Sequence, residues 1–344
     1  MGMSPVRIAI DTMGGDYAPE AIIHGGVEAV RTGKGDYEII LVGDEKVIYP
    51  YLSRHFRIQE LPITIYHASQ KIEMGESPVE ALKKKPDASI SVAMELHKKG
   101  HVEGVISAGH TGAAMASAFL KLGRIKGVKR PAIGSLIPNE EGVTFLIDVG
   151  ANLECKPEHL LQFGVMGEMY MKYVYDLPNP RIGLINIGEE ESKGYEVIQQ
   201  ANKLLQKSSM NFVGNVEGRD VMSGNVDVIV SDGFVGNVVL KFAESFNGVY
   251  SKTLKRKIGK KVFSNLGAFL LKPTFNRLRR IYDYEEYGGA PLLGINGTCM
   301  ICHGSSTPKA IKNAVFESVK MIKQKVNRII SQELVHMKEI TNDQ

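Results

Sequence analysis

Ile8-Ala9-Ile10-Asp11-Thr12-Met13-Gly14-Gly15-Asp16 is an apolar run that reads as a buried strand and breaks off in glycines beside aspartate. The same ending recurs at Ser107-Ala108-Gly109-His110-Thr111-Gly112, Asp148-Val149-Gly150-Ala151-Asn152, Asn186-Ile187-Gly188-Glu189 and Asp232-Gly233-Phe234-Val235-Gly236-Asn237. In a parallel sheet, strand ends of one polarity share an edge, so the five loops are expected to meet in one crevice of glycine backbone and small polar groups.

Outward from these loops the chain alternates between two periods. Strands are expected at 7–13, 38–42, 63–67, 104–108, 131–138, 143–149, 181–187, 211–216 and 226–231. Helical spacing of apolar residues marks 20–31, 91–98, 111–122, 157–175 and 195–206. This rhythm specifies an α/β fold, a mostly parallel sheet in a three-layer α/β/α sandwich. Only 131–138 and 143–149 break it, joined by Asn139-Glu140-Glu141-Gly142 as an antiparallel hairpin. With 344 residues, 43% of them hydrophobic, and no internal repeat or low-complexity linker, one large domain spanning 1–344 is expected.

Net charge is only +4, too little to indicate nucleic acid as a partner. Its placement is more telling. From Ser245 to Tyr282 there is no acidic residue but ten basic ones, Arg277, Arg279 and Arg280 among them. Within it, Phe263, Phe269 and Leu270 fall in an apolar run closed by Pro273, so a basic amphipathic helical excursion is expected at about 245–285. Three readings stay open: a helix lying in an anionic membrane interface, a solvated face packed on the core or a second copy, and a dock for an acidic carrier protein. No run approaches the roughly 18 apolar residues of a membrane span, and the N-terminus lacks the layout of a signal peptide, so a cytoplasmic location is expected.

Cys299-Met300-Ile301-Cys302-His303 matches a haem-attachment pattern, but it lies in an apolar strand-like run, and structural cysteines are expected. No second cysteine pair completes a zinc site, and no P-loop occurs. Neither metal nor cofactor is expected. Asp11, Asp16, Asp148 and Asp232 are read as caps and loop braces. Gly109, Thr111 and Gly112 open a helix whose first amides face an anion. Lys193 begins another helix beside Asn186, and His303 and Gly289 flank the last strand.

In order and over nearly the full length, these segments, together with Gly214-Asn215-Val216-Glu217-Gly218-Arg219-Asp220, resemble the PlsX family, the bacterial acyl-acyl-carrier-protein:phosphate acyltransferases of phospholipid synthesis. The resemblance implies a Rossmann-like fold related to isopropylmalate dehydrogenase and phosphotransacetylase, a homodimer, and peripheral association with the inner face of the cell membrane. It implies direct attack of inorganic phosphate on a fatty acyl thioester of acyl carrier protein. Thr12 stands where alanine is expected and His110 where asparagine is. Such chemistry needs positioning and charge stabilisation rather than a covalent nucleophile. Lys193, Asn237 and His303 are then the expected catalytic groups, and Gly109, Thr111, Gly112, Asn152, Asn186, Asp232, Gly236 and Gly289 the substrate contacts. Phe263, Phe269, Leu270, Arg277, Arg279 and Arg280 are expected to meet membrane or carrier. Alternatives are a phosphotransacetylase-like enzyme using acyl coenzyme A, a metal- and NAD-linked dehydrogenase, and a non-enzymatic carrier-binding scaffold.

Overall fold

A computed structural model describes residues 5–33, 35, 37–258, 273 and 284–342, the stretches 246–258 and 337–342 as backbone alone. Eleven strands form one sheet: β1 (Val6–Asp11), β2 (Tyr37–Gly43), β3 (Ile63–His67), β4 (Gly104–Ser107), β5 (Ala132–Pro138), β6 (Val143–Ile147), β7 (Ile182–Ile185), β8 (Phe212–Val216), β9 (Val228–Val230), β10 (Ala290–Leu293) and β11 (Thr298–Ile301). Helices are α1 (Glu20–Thr32), α2 (Glu45–His55), α3 (Pro78–Lys84), α4 (Ser89–Lys98), α5 (Thr111–Leu122), α6 (Pro157–Val174), α7 (Glu196–Gln206), α8 (Gly233–Ile258), α9 (Pro308–Lys323) and α10 (Val326–Asn342).

Central strands such as Gly104–Ser107 and Ile182–Ile185 are buried along their whole length, as strands covered on both faces must be. Two apolar layers result. One face packs Ile8, Ile10 and Phe145 with α1, α6, α7, α9 and α10. The other packs Ala9, Val105 and Ile229 with α4, α5 and the start of α8.

The strand order is β3-β2-β1-β4-β11-β10-β5-β6-β9-β7-β8. β3, β2, β1, β4 and β11 run parallel, as do β6, β9, β7 and β8. Between the blocks, β10 is antiparallel to both β11 and β5, and β5 to β6. Three reversals leave the two parallel blocks pointing in opposite directions. The shared edge expected of the five loops therefore does not exist.

Register brings part of the crevice back. Pro291 pairs with Met300, Leu292 with Ile133, and Gly134 with Ile147. Followed across these pairs, Ile147 comes level with Met300, so β6 ends beside the end of β11 rather than at the far edge. The opposed blocks are staggered, and their C-terminal ends meet near the middle of the sheet.

Candidate active site

A cleft of about 350 Å³ lies at that meeting point. Thr111 at the start of α5, and Cys302, His303 and Ser306 after β11, come from the first block; Val149, Gly150 and Asn237 come from the second. Gly289 and Ala290 at the start of β10 line it as well, and Lys241 and Glu244, one and two turns along α8 from Asn237, form another wall. Three of the five glycine loops thus contribute. The Asp11–Asp16 loop instead joins a nearly closed cavity of about 10 Å³ with Ser89 and His110, and the Asn186 loop is not among the lining residues.

Glycine is obligatory where the two strand-to-helix loops of the second block touch. A Cβ on Gly236 would lie 1.9 Å from the Asp148 carbonyl oxygen. Gly150, at φ +140°, adopts a backbone closed to most side chains and faces Asn237. These contacts press the first turn of α8 against the end of β6 and carry Asn237 into the cleft.

Most donors around the cleft are spent on internal acceptors. The fully buried Asp148 carboxylate accepts from the amides of Ile133 (3.0 Å), Gly150 (3.3 Å), Ala151 (3.1 Å) and Asn152 (2.7 Å), and from Asn152 Nδ2 (2.9 Å). Burial pushes this carboxyl above the usual carboxylate range, and those hydrogen bonds pull it back. Asp11, also buried, accepts from Ser89 Oγ (2.5 Å) and Ser107 Oγ (2.6 Å) and is likewise raised by burial. Asp232 accepts from Tyr195 Oη and the Val235 amide, both at 2.8 Å. Asp11, Asp148 and Asp232 are braces, as their positions in the sequence suggest.

At the start of α5 the acceptor is His110. Its Nδ1 accepts from the Gly112 amide (3.1 Å) and the Ala113 amide (3.4 Å), while Nε2 lies 3.1 Å from the Glu76 carbonyl. That pairing fixes the neutral tautomer with the proton on Nε2. The Gly112 amide, expected to face an anion, is therefore occupied, and the Gly109 amide donates to Ser107 Oγ at 3.1 Å.

Other expected contacts are similarly engaged. Asn152 Nδ2 also donates to the Pro131 carbonyl (2.7 Å), and Asn186 donates to the Lys193 carbonyl (3.0 Å) while accepting from the Ile187 amide (2.8 Å). Lys193, half-exposed, lies 3.9 Å from Glu190 and outside the cleft lining. Its loop is nonetheless tethered toward α8 through the Tyr195–Asp232 bond. The amides of Gly236 and Gly289 close on the carbonyls of Asp232 (2.9 Å) and Tyr287 (3.0 Å).

Several groups that line the cleft remain unspent. Among the described residues no hydrogen bond involves the Asn237 side chain, and Thr111 offers its hydroxyl and its amide at the first helical position. His303 Nδ1 lies 2.7 Å from Ser305 Oγ and accepts from the Ser305 amide (3.2 Å), leaving Nε2 available. Lys241 pairs with Glu244 at 3.1 Å. Ser306 is 2% exposed and its hydroxyl has no partner. Lys241 and Ser306 escaped the sequence reading. Lys241 was recoverable as the residue four after Asn237 on one helix face, whereas the unpaired state of Ser306 Oγ is a tertiary fact.

Cys299 and Cys302 are buried in β11 and just beyond it, and burial alone accounts for most of the rise of both thiols to about 12. They are packing residues. Among the described residues no cluster of three or more His, Cys, Asp or Glu would hold a metal, and no helix is long and apolar enough to cross a membrane. Phe263, Phe269, Leu270, Arg277, Arg279 and Arg280 lie outside the described residues.

The family model for "Fatty acid synthesis protein" matches residues 6–329. A phosphate acyltransferase of Pelotomaculum thermopropionicum is 51% identical over 310 residues, 90% of this chain and 90% of that protein. One of Syntrophotalea carbinolica is 46% identical over 339 residues, covering 98% and 97%. Among solved structures, a phosphotransacetylase from Streptococcus pyogenes superposes with a TM-score of 0.63 at 16% identity, over 93% of this chain and 94% of that one. The EutD phosphotransacetylase from Staphylococcus aureus gives 0.61 at 15% identity, over 92% and 94%. At these identities the structural likeness speaks for the fold, which is the α/β class expected.

Proposed function

Since the chain belongs to the PlsX family of fatty acid synthesis proteins and is an acyltransferase acting on phosphate, we propose that it takes its fatty acyl group from the thioester of acyl carrier protein. A phosphate oxygen attacks the thioester carbonyl carbon, a C–O bond forms, and the tetrahedral oxyanion collapses as the C–S bond breaks. Acyl phosphate and the thiolate of the carrier arm leave, and the thiolate takes up a proton. Phosphate is already anionic at neutral pH and the thiolate is a good leaving group, so the demand on the protein is orientation and neutralisation of charge.

The observation that carries this reading is the presence of unspent donors in a cleft whose one lining carboxylate, Glu244, is paired with Lys241. Asn237 Nδ2 and the Thr111 amide and hydroxyl are assigned to the phosphate and the developing oxyanion, His303 Nε2 to the leaving sulfur. Lys241 supplies positive charge from the wall, and Lys193, outside the lining, is assigned to the phosphate through a movement of its 187–194 loop toward the cleft. Gly150, Gly236 and Gly289 shape the cleft by close backbone approach.

The test is phosphate-dependent release of free thiol, followed with long-chain acyl carrier protein and with acyl coenzyme A side by side. Preference for the carrier substrate is expected. Preference for a short coenzyme A ester would replace the proposal with a phosphotransacetylase-like activity, and absence of turnover would favour a scaffold.

The basic segment is assigned to the membrane through Phe263, Phe269 and Leu270, and to the acidic carrier through Arg277, Arg279 and Arg280. Sedimentation with anionic liposomes is expected to disappear in a Phe269→Glu, Leu270→Glu variant, and carrier affinity to fall when the arginines are neutralised. The chain is proposed to act as a homodimer of single-domain subunits at the inner face of the cell membrane, a state that analytical ultracentrifugation and fractionation would check.

A further inference from the structure

Ser306 is a polar side chain without an employer inside the protein. It is 2% exposed, lines the central cleft, and its hydroxyl has no hydrogen-bond partner among the described residues. A buried hydroxyl left unpaired costs free energy that alanine of nearly the same shape would not incur. Nothing in the packing accounts for it: the Ser306 amide already donates to the His303 carbonyl at 2.9 Å, which closes the turn without the side chain.

Its position gives the cost a purpose. Ser306 lies two residues before α9, a sixteen-residue helix beginning at Pro308. Thr307, the residue preceding α9, makes no capping bond with its side chain, and its Oγ1 is also buried without a partner. At the starts of α2 and α5 the same role is filled, by Asp44 and His110. The N-terminus of α9, with the positive end of its dipole, thus follows two unpaired hydroxyls, of which that of Ser306 belongs to the cleft lining, an arrangement complementary to an oxyanion.

We infer that Ser306 is a phosphate-binding residue: its hydroxyl donates to a phosphate oxygen held against the N-terminus of α9, in the cleft that Thr111 and Asn237 also line. The inference rests on the phosphate acceptor of the proposed reaction but not on the identity of the acyl donor. It gives the turn between β11 and α9, which already supplies His303, a second group in the site.

The test uses the full-length enzyme with the Ser306→Ala variant and inorganic phosphate as the probe. Calorimetric titration of phosphate into resting enzyme is expected to show binding weakened by about tenfold or more, the scale of losing one hydrogen bond to a charged group. In turnover, the KM for phosphate should rise by a similar factor while the KM for the acyl thioester stays the same. The thermal midpoint should hold or rise, because no protein hydrogen bond is lost. A lowered midpoint would assign Ser306 a structural role and overturn the inference, as would unchanged phosphate affinity. A rise in thioester KM alone would move the hydroxyl to the acyl donor. If wild-type enzyme binds phosphate yet transfers no acyl group, the reaction fails while the titration still decides Ser306.

Discussion

Gly236→Ala sets two magnitudes of opposite sign against each other. Gly236 is in the first turn of α8, where alanine gains about 1 kcal/mol in helix propensity over glycine. Yet the added Cβ would stand 1.9 Å from the Asp148 carbonyl oxygen and 3.3 Å from Val149 Cα. Restoring even 3.0 Å demands a displacement of about 1.1 Å between two backbone segments. Neither segment yields easily, because the five hydrogen bonds to the Asp148 carboxylate pin one of them. Overpacking of this kind costs about 1–3 kcal/mol, and rigid backbone on both sides puts it at the upper end. After the propensity gain, the net loss is about 2 kcal/mol, which for a 344-residue domain is a fall in melting temperature of about 3 °C. Asn237 is the next residue, and a shift of about 1 Å at a positioning group costs on the order of 10²-fold in rate. Thermal unfolding and initial rates of acyl phosphate formation measure both effects. Gly75→Ala, with nothing within 4 Å of its Cβ, is the control. If Gly236→Ala melts at or above wild type with unchanged kcat/KM, the close approach of α8 to β6 does not hold and the placement of Asn237 falls with it.

Asn237→Ala should lower kcat by about 10²–10³ with little change in melting temperature, since its amide braces nothing; an unchanged kcat would remove it from the oxyanion site. Lys193→Ala and Lys241→Ala are each expected to raise the phosphate KM, and Lys241→Ala more strongly because Lys241 lines the cleft; the reverse order would show that the 187–194 loop closes over the substrate. His97 Nε2 accepts from the Thr298 amide at 3.0 Å, and burial pushes its imidazole below the ordinary 6.5. The unfolded chain takes up a proton that the folded one resists, so this contribution to stability is present above pH 6.5 and is lost as pH falls below it. Denaturant midpoints of wild type and His97→Gln between pH 7.5 and 5 should converge toward acid; parallel curves would contradict the burial of a neutral ring.

Much of the fold is legible because its signals are local. The strand expected at 63–67 and the helix at 111–122 fall on those residues, and the hairpin across Asn139–Gly142 forms as its turn residues require. β10, Ala290–Leu293, went unread because four residues, Ala-Pro-Leu-Leu after Gly-Gly, carry too little periodicity. The consequence of the hairpin was equally hidden. A local antiparallel pair is visible in sequence, but with β10 it reverses one half of the sheet, and the stagger that reunites the two halves depends on pairings between distant residues. At the site, the aspartates were legible as braces, since Asp followed by small residues is a local motif. Which amides they consume was not, and neither was the capture of the Gly112 amide by His110.

The union of β4 with β11 has a consequence for how the molecule is made. Gly104 pairs with Thr298, and β10 then links β11 to β5. While a ribosome emits the chain, β4 waits with one open edge through the whole intervening stretch, a hazard for nascent chains. The seam that joins the two halves is therefore sewn last, and with it the turn that carries His303 and Ser306. The candidate cleft is complete only once β11, the last strand of the sheet in sequence, has been made.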